Sequence, residues 1–263
     1  MPKLRRIVIG LLSLGFLTAL VLVPAVAVLV EAFRDGPAAW WRALTDEETL
    51  TSLRLSLLVT AIVVPLNTVF GLAAAWALAR FRFRGRRLLA LAIDLPLSVS
   101  PVVAGLLFVL VFGAQGWFGP WLLAHDLQVI FAVPGIVLAS TFVTLPLVAR
   151  ELTPLLETQG DEQELAALTL GATGRQMFWL VTLPRLRWGL LYGVVLCTAR
   201  ALGEFGAVSV VSGHVRGETT TLPLQVEILH GEYQFQAAFA VASLLVVVGL
   251  AVLVLRRVVA DKE

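Results

Sequence analysis

Arg200 and Glu204 stand four residues apart in TARALGEFGAVSVVSG, inside a run (188–211) that carries no other charge. On a helix that spacing puts both side chains on one face. Two kinds of chemistry fit. The groups can neutralise one another and bond to neighbouring helices, fixing how the helices pack. Alternatively, Arg200 can offer its guanidinium N–H donors to a passing oxyanion, with Glu204 keeping the arginine from holding a dianion too tightly to release it. Ser98 and Ser100, in LPLSVSPVVAG, pose a similar choice. Their hydroxyls either face an internal passage or re-satisfy backbone groups freed by Pro96 and Pro101.

Other reactive side chains give less. His214 and His230 lie in a polar segment with Arg216 and read as surface residues, because two distant histidines without further ligands make a poor metal site. Cys197 is the single cysteine. It excludes an internal disulfide and reads as a small buried residue. There is no phosphate-cradling GxxxxGK[ST] loop and no GxSxG nucleophile elbow, so nothing points to catalysis by this chain.

The elements that position these residues are apolar. Of 263 residues, 59% are hydrophobic and 14% charged, and the mean hydropathy is +0.90, which excludes an ordinary soluble domain. The expected fold is all-α, a polytopic membrane protein with six transmembrane helices in one domain: 7–30, 55–79, 91–113, 128–149, 186–211 and 237–255. Each run is long enough to cross a hydrocarbon core of about 30 Å. The first run could also be read as a signal peptide cleaved after Ala25-Val26-Ala27, but its apolar stretch continues past that site. In the second, Pro65 and Asn67 predict a kink that faces other helices. Trp40 and Trp41 suit a membrane interface. An arginine at the centre of a span costs about 2.5–3.5 kcal/mol on insertion scales, so Arg200 should face inward.

Net charge is +2, which indicates no nucleic-acid partner. The placement of the basic residues says more. Lys3, Arg5 and Arg6 precede the first span, RFRFRGRR (80–87) follows the second, and Arg150, Arg175, Arg185 and Arg187 flank the loop after the fourth. Arg256, Arg257 and Lys262 follow the sixth. Fifteen of the 20 basic residues thus gather on one side, with Arg34, Arg42, Arg54 and Arg216 on the other, so both termini are expected in the cytoplasm.

On that side lies the longest polar, helix-forming insertion, QGDEQELAALTLGATGRQMFWLVTLPRLR. Asp161 with Glu164 three positions on makes a capping-box pattern, Gly171 supplies a helix stop, and Thr173 with Gln176 repeats the cap. The pattern predicts two short helices at an angle, the second running towards Pro184. Ala166, Ala167 and Gly171 leave little bulk at the bend, so another protein can come close.

This insertion resembles the cytoplasmic coupling loop of ATP-binding cassette (ABC) importer permeases, whose form is E-A-A, three residues, Gly, nine residues, I-x-L-P. Here it reads Leu165-Ala166-Ala167, three residues, Gly171, nine residues, Val181-Thr182-Leu183-Pro184. The expected Glu is Leu165, and Glu164 sits one place early. The resemblance implies a type I (MetI-like) fold with a coupling loop over 159–184. It also implies ATPase-coupling residues at Glu164, Ala166, Ala167, Gly171, Ala172, Arg175, Leu183 and Pro184. LGEFGAVSVVSGHVRGETTTLPLQVEIL, TFVTLPLVAREL and LPRLRWGLLYGVVL are similar to the W-type subunits of sulfate/thiosulfate ABC permeases, over nearly the whole chain from the second span.

That likeness implies a multi-pass subunit of the bacterial inner membrane that takes the anion into the cytoplasm by alternating access. Its implied partners are a second homologous permease, a cytoplasmic ATPase dimer and an extracytoplasmic sulfate-binding protein. It implies no cofactor in this chain, since ATP and Mg belong to the ATPase. Arg200, Glu204, Ser98 and Ser100 would line the translocation path or gate. Molybdate and tungstate permeases share the LGEFGA pattern and remain an alternative. So do an ATPase-independent secondary anion transporter and a scaffold that merely anchors a cytoplasmic complex.

Overall fold

The computed structural model describes residues 3–260, so Lys262 lies outside the described residues. Among these residues there is helix and no strand. The order is α1 (Lys3–Ala32), α2 (Pro37–Thr45), α3 (Glu47–Arg80), α4 (Arg86–Ser98), α5 (Pro101–Phe112), α6 (Gly119–Ala124) and α7 (Val133–Gln159). Then come α8 (Glu162–Thr169), α9 (Gly174–Met177), a π-helical turn (Phe178–Thr182), α10 (Leu183–Leu202), α11 (Gly206–Val211), α12 (Leu222–Gly231) and α13 (Phe235–Ala260). Five stretches are long and apolar enough to cross a membrane: Ile9–Ala32, Glu47–Arg80, Val133–Gln159, Gly174–Leu202 and Phe235–Val252. The bent pair α4 and α5 makes a sixth when counted as one span.

The helices α3, α7 and α10 form the centre. α3 and α7 come so close that a Cβ on Gly71 would stand 2.7 Å from the Val148 Cβ, so glycine is what permits the approach. Ala75, Val148, Leu152, Leu156, Leu186 and Cys197 fill one core at this contact, and Cys197 is fully buried, as its setting in the sequence suggests. A second core joins Val59 and Val63 of α3, Ile136 and Val143 of α7, and Val208 and Val211 of α11. Asn67 is buried and donates to the Thr141 carbonyl (3.2 Å) and to Thr144 Oγ1 (2.6 Å), so this amide does face other helices. Trp40 stacks on Phe33 at 5.1 Å and donates from Nε1 to Ser243 Oγ of α13 at 3.0 Å.

The chain departs from six straight rods in three places. The third apolar run is two helices bent by 109°. Pro101 disfavours helical geometry in the residue before it, and Val99 and Ser100 are accordingly extended (ψ 133 and 134). The fifth run, expected as one helix over 186–211, breaks after Leu202. The Glu204 carboxylate accepts from the Ala207 N–H at 3.0 Å and so supports the start of α11 instead of continuing α10. At its other end the same helix begins earlier than expected. Pro184 has no N–H to give and crowds the preceding turn, and the strain is taken up by the π-helical turn, which leads straight into α10. The second arm of the hairpin is therefore the beginning of a 29-residue helix and not a separate short one.

Candidate functional site

The polar hairpin is built from α8, a tight turn and the start of the long fifth helix. Thr173 and Gln176 form the full capping box expected of them, and Gly171 ends the first arm with φ +91, a conformation that suits glycine. Asp161 departs from expectation, since it flanks α8 without any side-chain capping bond.

Glu164 departs further. The sequence places it with Asp161 as the far member of a capping box and, by resemblance, as an ATPase contact. It is 5% exposed and turned into the protein. Arg80, the last residue of α3, meets it with Nε to Oε2 at 2.7 Å. The remaining guanidinium donors go to the carbonyls of Leu156 at 2.8 Å and Gly160 at 2.7 Å, at the end of α7. Thr182, in the π-helical turn, donates to Glu164 Oε1 at 2.9 Å. One buried carboxylate thus pins the hairpin to the ends of α3 and α7 and to the root of α10. Arg80 and Thr182 were not singled out from the sequence, where Arg80 counted only as a basic loop residue. Spacing gives no clue to a pair 84 positions apart.

With Glu164 turned inward, the outer surface of the hairpin carries small residues and exposed leucines among its polar side chains. Ala166, Gly171, Arg175 and Pro184 are exposed, and Ala167, Ala172 and Leu183 are half-buried. Leu165, standing where the pattern has Glu, is also exposed, as are Leu168 and Leu170, the last at 89%. Such a patch fits a partner surface better than it fits water.

The charged pair sits elsewhere, at the break between α10 and α11. Arg200 Nη1 lies 2.7 Å from Glu204 Oε2, with Glu204 buried and Arg200 41% exposed. The pair therefore forms even though the helix does not run through it. The structure also brings the two broken helices together. Gly206, just past Glu204, packs against the elbow between α4 and α5, where an added Cβ would meet the Pro101 Cβ at 3.0 Å. Ser98 and Ser100 are exposed on that elbow, and the Ser100 hydroxyl does not cap α5. Irregular backbone at membrane depth is tolerated where it is buried in protein or lines an aqueous cavity, and paired broken helices mark transporter binding sites.

His214 Nε2 lies 3.2 Å from a Glu227 carboxylate oxygen. Among the described residues, no group of three or more His, Cys, Asp or Glu side chains could hold a metal ion. Arg216 bonds to Glu232 and to Glu48 (3.3 Å), tying α12 to the start of α3. These carboxylates, Glu232 first, raise the Arg216 pKa above its ordinary value.

Residues 67–262 match the family model described as "Binding-protein-dependent transport system inner membrane component". The chain is 51% identical over 260 residues to the sulfate transport system permease protein CysW of Synechocystis sp., covering 99% of this chain and 94% of that protein. It is 48% identical to CysW of Escherichia coli (strain K12), covering 94% and 85%. To the sulfate transport system permease protein CysT of the same organism it is 37% identical, covering 95% and 92%. In fold it resembles a chain of a bacterial alginate ABC transporter in complex with an alginate pentasaccharide-bound periplasmic protein. The TM-score is 0.79 at 16% identity, covering 97% of this chain and 93% of that one. A helical bundle with a capped polar hairpin, two apposed helix breaks and this family match places the chain among the binding-protein-dependent transport system inner membrane components, the permease subunits of ABC importers.

Proposed function

We propose that this chain is a membrane-spanning subunit of an ATP-driven sulfate importer, working beside a second, homologous permease. The observation that carries this reading is identity of about half, over nearly the full length, to permeases named for sulfate transport. Thiosulfate, another divalent oxyanion, belongs to the same substrate class. An external binding protein delivers the anion, and a cytoplasmic ATPase dimer, where ATP and Mg reside, drives the cycle. The hairpin over 159–184 receives the ATPase motion through Ala166, Ala167, Gly171, Ala172, Arg175, Leu183 and Pro184. Glu164 serves it from within by fixing its attitude. Termini and hairpin face the cytoplasm, in keeping with the gathering of arginines there.

Rocking of the bundle would open and close the seam where the α4–α5 elbow meets the α10–α11 break. Arg200, half-exposed at that seam, offers donors to the anion, while Glu204 limits how long it is held. Ser98 and Ser100 border the same route. One arginine supplies too few donors for strong recognition, so selectivity rests mainly with the binding protein.

The reading is tested by labelled sulfate uptake in cells that lack their own sulfate import and express this chain with its partner subunits. Sulfate and thiosulfate should compete and molybdate or tungstate should not. Uptake that survives ATP depletion while the membrane potential is held would reject the ATP-driven reading in favour of a secondary transporter. Arg200→Ala, assembled at normal levels, should cut uptake about tenfold, the loss of one charge-assisted bond to the anion. Unchanged uptake in that variant would remove Arg200 from the path and leave it a packing residue.

A further inference from the structure

RFRFRGRR holds five arginines, of which Arg80 ends α3 and is consumed by the hairpin. Arg82, Arg84, Arg86 and Arg87 are exposed. Arg86 pairs with Glu157 of α7 at 3.1 Å, whereas Arg82, Arg84 and Arg87 have no ion-pair partner among the described residues. Beside Arg86 and Arg87 a cavity of about 510 Å³ opens between the ends of α3, α4 and α7. Leu78, Ala90 and Thr153 line its inner part and Phe83, Arg86 and Arg87 its rim, with Glu157 as the one carboxylate. Its size falls within the roughly 300–1,000 Å³ of small-molecule sites.

The adjoining helix is amphipathic in a telling way. α4 buries Ile93 against Ala74, Leu78 and Ala149, while Leu88, Leu91 and Leu95, three and four residues apart, are 70%, 67% and 53% exposed. An apolar stripe therefore starts at the rim of an arginine-lined cavity. A free phosphate would use only the arginines. A lipid uses both, with its phosphate at the arginines and its chains along the leucines.

We infer that the cavity between α3, α4 and α7, with Arg86 and Arg87 at its rim, holds the phosphate headgroup of an anionic membrane lipid whose chains lie along Leu88, Leu91 and Leu95. The site is independent of the transported anion, since it lies at the far end of α4 from the Ser98–Ser100 elbow. Glu157 neutralises Arg86 and leaves a net positive rim, so an anionic headgroup is preferred to a zwitterionic one.

The test uses the full chain with its partner subunits in nanodiscs. Phosphatidylglycerol carrying a headgroup photo-crosslinker should label a peptide within residues 78–91, and phosphatidylcholine with the same group should label it at least about fivefold less. Arg87→Gln, which leaves the other arginines to maintain orientation, should lower the phosphatidylglycerol labelling, and Arg87→Lys should restore most of it. Equal labelling by the two lipids, or labelling elsewhere, overturns the site. Loss of labelling in excess inorganic phosphate assigns the arginines to a soluble anion and overturns the lipid. Labelling that vanishes whenever the ATPase is bound makes the surface a protein interface and overturns it as well.

Discussion

Replacing Arg80 with Ala should release the hairpin from the bundle while leaving the bundle in the membrane. Arg80 contributes to no apolar core, so the helices lose little packing. The hairpin loses its anchor. Arg80 and Glu164 are 11% and 7% exposed at their side chains, and removing one member leaves a buried carboxylate with only Thr182 for company. Breaking such a pair typically costs about 3–5 kcal/mol, which shifts the docked-to-free ratio of the hairpin by roughly two to three and a half powers of ten. The carbonyls of Leu156 and Gly160 lose their donors at the same moment. Limited proteolysis should then cut within 160–174 while the long helices stay protected, and sulfate uptake should fall to background. Arg80→Lys should recover part of both, because an ammonium can meet the carboxylate but cannot span it and two carbonyls with a rigid fork. A chain with Arg80→Ala that resists the protease and transports normally would show that the hairpin keeps its attitude without the ion pair. Glu164→Gln gives an independent reading, since it keeps the shape and removes the charge. It should loosen the hairpin less than Arg80→Ala, the buried group left behind being neutral and the arginine free to turn to water.

How much of this was legible beforehand depends on the range of the interaction concerned. The spanning stretches follow from local composition, because a run of apolar residues long enough to cross a membrane needs no partner to announce itself. The cap at Thr173 and Gln176 and the stop at Gly171 are equally local, and both appear as expected. Pro101 signalled an interruption, though not a turn of 109°, since a proline removes one bond and leaves the direction to the packing of α5 on α11. The break after Leu202 was hidden. Arg200 and Glu204 keep helical spacing, and only the capture of the Ala207 N–H by the Glu204 carboxylate ends the helix there. Glu164 was misplaced for the same kind of reason. Read locally, an acidic residue in the first turn of a short helix is a cap or a surface contact, and its use as a buried tether requires an arginine from a distant helix end.

Gly171→Trp should abolish both transport and capture of the ATPase without emptying the membrane of the protein. The position is suited to separating these effects. Gly171 has φ +91, but an added Cβ would meet nothing within 4 Å, so the space is open and the only local penalty is conformational. That penalty is about 1–2 kcal/mol for a side chain in the left-handed region, small beside the packing of the helices. An indole there adds bulk at the bend, next to Ala172, whose N–H bonds the Ala167 carbonyl at 3.0 Å, on a surface whose lack of bulk would let a partner approach. Gly171→Ala carries nearly the same backbone penalty with almost none of the bulk and should retain capture and most of the uptake. Gly171→Asn, which tolerates the left-handed region, should do so as well. If Ala and Trp were equally harmful, the strained turn itself would be what the partner requires. If Trp left capture in a pull-down unchanged, the small-residue face of the hairpin would not be the ATPase contact, and the partner would have to dock on the exposed Leu165, Leu168 and Leu170 instead.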